Sequence, residues 1–82
     1  MSQSHQSPFP LSETTPGDIG RISKIDNTEL EVALLKMGIS TGDICRVSGI
    51  APLGDPIALL VGRTKVSLRK QDAKHIWILP QQ

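Results

Sequence analysis

Few side chains in this sequence can carry covalent or proton-transfer chemistry, and their spacing limits what each could do. Cys45 is the single cysteine and lies between Ile44 and Arg46. A cysteine nucleophile needs a base within hydrogen-bond reach and a third group to orient it. No such set is readable around Cys45, so it is expected to be a small buried hydrophobe. The histidines are His5 and His75. Asp72 and His75 stand three apart, which puts both on one face of a helical turn. They are the metal-ligand candidates, and a weak pair. Open transition-metal sites commonly need a third ligand, such as a second His beside one His and a carboxylate, held rigidly, and incomplete ligand sets rarely bind. No metal site and no cofactor is assigned. Gly54-Asp55-Pro56 has neither a following helix nor a P-loop lysine, so it is no phosphate cradle. Without a complete catalytic set, the chain reads as a binding protein and not an enzyme.

The residues best suited to binding are Pro52, Leu53, Gly54, Asp55 and Pro56, followed later by Arg69 and Lys70. Two prolines stiffen the loop, so less entropy is lost when it docks. Leu53 is an apolar side chain on a loop expected to be exposed. Its burial by a partner would contribute on the order of 1.5–3 kcal/mol. Arg69 and Lys70 could form ion pairs with the same partner.

Size and charge narrow the field. A chain of 82 residues makes one domain. Residues 1–10 are polar, carry Pro8 and Pro10 and offer only Phe9 for burial, so they read as a loose tail. Residues 11–79 must make the whole core, and 80–82 read as a frayed end. Such a domain has little room for a deep substrate cavity. Nine Lys and Arg face eight Asp and Glu, and Phe9 and Trp77 are the only aromatics. Nucleic-acid binders of this size usually carry a basic excess and a stacking platform, so no nucleic-acid partner is expected. No segment reads as a signal peptide or as a membrane span. With one cysteine and no intramolecular disulfide, the chain is expected to be soluble and cytoplasmic.

The elements that would hold these residues can be read from period and punctuation. Thr15-Pro16-Gly17-Asp18 is a turn signal. Ile19, Ile22 and Ile25 follow as a strand, with a bulge expected at Gly20. Thr28 and Glu31 have capping-box spacing. Leu30, Leu34 and Met37 give one apolar stripe, read as core. Gly38 and Ile39 are placed to end the helix in a Schellman motif. The helix is therefore expected over 28–37. Ile44–Ile50 and Ile57–Val61 read as strands on either side of the proline loop. Residues 65–69 alternate and pair with Ile57–Val61 as a hairpin. Residues 70–74 make one short helical turn, and 75–79 a last strand. Five short strands in so few residues curl into a small, partly open barrel. Such a barrel can leave an edge that pairs with another copy.

Three segments, taken in order, resemble the FeoA family. They are Leu34-Leu35-Lys36-Met37-Gly38-Ile39 with Gly42, Ala51-Pro52-Leu53-Gly54-Asp55-Pro56-Ile57, and Val66-Ser67-Leu68-Arg69-Lys70. The resemblance implies a mainly β, SH3-like five-stranded barrel with one inserted helix and a short helical turn before the last strand. It also implies a cytosolic accessory to FeoB, a membrane ferrous iron transporter whose cytosolic domains would be the partner. Within the iron setting and SH3-like fold that the resemblance implies, two other readings stay open: a ferrous iron sensor using Asp72 and His75, and an SH3-like module for nucleic acid.

Overall fold

The computed structural model describes residues 7–81. One antiparallel sheet carries six strands in the order β1-β6-β2-β3-β4-β5. They are β1 (Phe9–Pro10), β2 (Ile19–Ile25), β3 (Ile44–Ile50), β4 (Ile57–Val61), β5 (Thr64–Leu68) and β6 (Ile76–Pro80). Helix α1 (Thr28–Lys36) joins β2 to β3, and α2 (Lys70–Ala73) joins β5 to β6. The sheet curls around one core but does not close, because β1 and β5 remain its two ends.

The expected five strands become six. Phe9 and Pro10, assigned to the tail on composition, pair with Ile78 and Trp77 of β6. Two residues, one of them proline, carry no periodicity from which to read a strand. The 3₁₀ turn Leu11–Glu13 follows, with Leu11 fully buried and its carbonyl accepting from Thr14 Oγ1 at 2.7 Å.

β2 is the centre of the sheet and pairs with β3 on one side and β6 on the other. The bulge in β2 falls between Ile22 and Lys24, at Ser23, and not at Gly20. One extra residue there turns both Ser23 and Lys24 outward and returns Ile25 to the core. Gly20 has a different task. A Cβ placed on it would lie 2.1 Å from Ile78 Cγ2 and 3.0 Å from the Leu79 carbonyl oxygen. Only the absence of a side chain lets β6 pack there.

Helix α1 starts at Thr28 as expected, but its cap lies one residue earlier than the capping box implied. Asn27 is extended, and its side chain accepts from the Leu30 N–H at 2.9 Å. Thr28 is thus the first helical residue and not the cap. The C-terminus is as expected: Ile39 N–H donates to Leu34 O and Gly38 N–H to Leu35 O, both at 2.9 Å, with Gly38 at φ 83°. Leu34 and Ile39 are buried and Leu30 packs against them, but Met37 is 44% exposed. The apolar stripe therefore enters the core through two of its three residues. A second bulge, between Val47 and Gly49, bends β3.

Asp26, in the turn between β2 and α1, fastens that turn to β6. Its N–H donates to His75 O at 2.9 Å. Its carboxylate accepts from Trp77 Nε1 at 2.9 Å and from His75 Nδ1 at 2.6 Å. These bonds, Trp77's first and His75's second, hold the Asp26 carboxyl below its ordinary value of 3.8.

Two expectations follow from this packing. Gly20→Ala should lose roughly 1–3 kcal/mol by overpacking, seen as a lower urea midpoint at an unchanged slope. A depressed folded-state carboxyl contributes stability fully above its unfolded value and loses it as pH falls through the folded one. Asp26→Asn should therefore be less stable than the parent at neutral pH. The gap should narrow in thermal scans below about pH 4. A gap constant with pH would deny the carboxylate this role.

Candidate partner-binding site

The five loop residues and the two basic residues come from opposite ends of the β4–β5 hairpin. Ile57 pairs with Leu68, so the loop before β4 and the residues after β5 leave the sheet side by side. Asp55 joins them: its Oδ1 accepts from the Lys70 backbone N–H at 3.0 Å. This bond satisfies one N–H at the start of α2, where Arg69 supplies no side-chain cap. Arg69 is extended (φ −69°, ψ 150°), and its carbonyl accepts from Asp72 and Ala73. The strand expected at 65–69 therefore gives up Arg69 to the helical turn.

The loop is also tied within itself. Ala51 N–H donates to Pro56 O at 3.0 Å and Gly54 N–H to Ala51 O at 2.7 Å. Gly54 has φ 84°, a left-handed value that glycine adopts without a Cβ penalty. The Asp55–Pro56 peptide is cis. Leu53 stands at the tip and is 92% exposed. It does not fold back over the barrel. Pro52, Asp55, Pro56, Arg69 and Lys70 are exposed around it, and Gly54 is half-buried. Lys70 reaches over the loop, its Nζ 3.8 Å from where a Gly54 Cβ would be. The result is an exposed apolar point on a hydrogen-bonded loop beside two cations.

The other candidates lie elsewhere. His75 is held by Asp26, 49 residues away in sequence, and its backbone N–H bonds to the Asp72 carbonyl at 3.0 Å. Among the described residues no group of three or more His, Cys, Asp or Glu could hold a metal ion. His5 lies outside the described residues. Cys45 is buried, and burial pushes its thiol up to about 11. It is protonated at neutral pH, which suits a core residue and not a nucleophile.

Two features had no signal in the sequence. The Asp26–His75–Trp77 cluster joins residues about fifty positions apart, which no local pattern reveals. A cleft of about 270 Å³ lies between the 3₁₀ turn and β2, lined by Phe9, Leu11, Ile19, Val47 and Ile78 with Cys45 at its wall. It shares no residue with the proline loop.

Known proteins agree with this architecture. The sequence profile of the FeoA domain matches residues 9–80. The solution structure of a FeoA-like protein from Clostridium acetobutylicum superposes with a TM-score of 0.80 at 28% identity, covering 96% of this chain and 92% of that one. Iron(II) transport protein A from Clostridium thermocellum gives 0.79 at 34% identity, covering 88% of this chain and 45% of that one. A manganese-dependent transcriptional repressor gives 0.82 at 20% identity over 95% of this chain and 44% of its own, a likeness of fold alone. No curated protein matches the chain in sequence. With its inserted helix, SH3-like sheet and a profile match running from β1 to the end of β6, the chain belongs to the FeoA domain family.

Proposed function

We propose that this protein is a small accessory factor of ferrous iron uptake. It binds the cytosolic domains of a FeoB-type transporter through Leu53, its loop and the flanking Arg69 and Lys70. Family membership supports the iron-uptake setting. The observation that carries the binding surface is Leu53, 92% exposed on a loop that two backbone bonds and Asp55 hold in shape. An exposed leucine on a mobile loop would lose much of its binding gain to ordering. A leucine on a preformed loop keeps it. Arg69 and Lys70 form no salt bridge within the described residues, so they are available to acidic groups at the rim of a pocket that takes Leu53.

Such binding modulates the transporter's conformation, assembly or activity only in so far as the surface favours one of its states over another. No catalytic group and no cofactor is required. No described helix is long and apolar enough to cross a membrane, so in this reading the transporter recruits the chain to the inner face of the membrane.

The experiment is an NMR titration of the labelled protein with the transporter's cytosolic domains, with and without guanine nucleotide. Saturating shifts should cluster at residues 52–56 and at Arg69 and Lys70. Leu53→Ala should weaken binding roughly tenfold or more, as expected for a buried leucine. It should change stability by less than about 0.5 kcal/mol, as at other exposed sites. An unchanged spectrum at high partner concentration would remove this reading.

A further inference from the structure

The two ends of the sheet are not alike. β1 is two residues long, and Pro10 has no N–H to offer, so that edge is blunt. β5 has five residues, no proline and no bulge, and among the described residues its only strand neighbour is β4. The hairpin turn is Gly62-Arg63, with Gly62 at φ 60° and Val61 paired to Thr64. A two-residue turn is closed by a hydrogen-bonded pair, and the pairs then alternate. Thr64, Val66 and Leu68 therefore exchange bonds with β4. Lys65 and Ser67 point their backbone N–H and C=O groups away from β4, toward the open edge. No turn, loop or cap bond among the described residues reaches them. Both residues are exposed.

We propose that this edge takes an extended, acidic segment of the partner protein as an added strand. Charge selects the occupant. Residues 57–71 contain Arg63, Lys65, Arg69 and Lys70 and no carboxylate side chain. None of the four is in a salt bridge among the described residues. Lys65 and Ser67 alternate with the inward Val66, so their side chains flank an incoming strand on the solvent side of the sheet. A second copy of this chain would bring the same cations against them, and like charges facing each other across strands are destabilising. A segment with Asp or Glu at alternate positions meets opposite charge and gains main-chain bonds. The edge also leads to the proline loop, because Leu68 pairs with Ile57 and Asp55 holds the Lys70 N–H. One partner can thus lay a strand on β5 and receive Leu53 just beyond it.

This inference rests on the binding reading above, and the test separates the two. The probe is again the transporter's cytosolic domains, with amide hydrogen exchange followed residue by residue. In the complex the Lys65 and Ser67 amides should exchange at least about tenfold more slowly than in the free protein. Ser67→Pro removes an N–H that faces only the open edge, so it should leave the β4 ladder intact and weaken binding about tenfold. Lys65→Glu should weaken it too and reduce its salt dependence. If Ser67→Pro fails to fold, the exchange rates and Lys65→Glu decide. A complex in which both amides exchange at their free rates overturns the edge inference. The loop reading then still stands if Leu53→Ala weakens binding. Absence of any complex overturns both. Protection that grows with protein concentration alone would show a second copy on the edge and overturn it as well.

Discussion

The close contact of β6 with β2 at Gly20 is the constraint on which the rest of the sheet depends. Among the described residues β2 is the only strand that joins the β3–β4–β5 half to the β6–β1 half. Ile78 sits against Gly20 where a side chain would otherwise be, and it is buried with Ile22 and Ile76 in the common core. Holding the halves at this spacing lets Leu11 and Thr14 close one end. It also lets Asp26 reach His75 and Trp77 at the other. A domain this small has no second core to compensate, so one contact between neighbouring strands sets the placement of everything on either side.

The candidate binding region is hydrogen-bonded together for a separate and local reason. Its loop and its basic residues are distant in sequence but emerge together because β4 and β5 form a tight hairpin. The hairpin brings Asp55 to Lys70, and that bond serves two purposes: it caps a short helical turn and braces the loop. A leucine is then left exposed at a fixed point in space. It takes no part in the core cluster. The same hairpin carries the basic, unpaired edge of β5. Loop tip, cations and edge therefore form one continuous flank of the barrel.

Much of this was legible in the residues. The helix and its Schellman ending follow from Leu30, Leu34, Gly38 and Ile39 at fixed offsets. The loop follows from two prolines around Leu53-Gly54, and the hairpin from Gly62 between the apolar run Ile57–Val61 and the alternating residues 65–69. Other features were not legible, for identifiable reasons. The helix cap moved to Asn27 because two adjacent residues can both cap, and backbone geometry chooses between them. The bulge moved from Gly20 to Ser23 because any residue can bulge outward, whereas Gly20 was needed where strands touch. β1 was invisible because two residues have no period.

The amino-acid sequence by itself determined the element order from β2 to β6 and the place of the proline loop, because these rest on spacings of a few residues. Tertiary structure alone decided which distant groups meet. Asp55 found Lys70, Asp26 found His75 and Trp77, and Met37 was left outside while Leu34 went in. The physical reason is that strand pairing links residues far apart in the chain. A contact across fifty residues depends on the register of a whole sheet, and no local run of side chains encodes it.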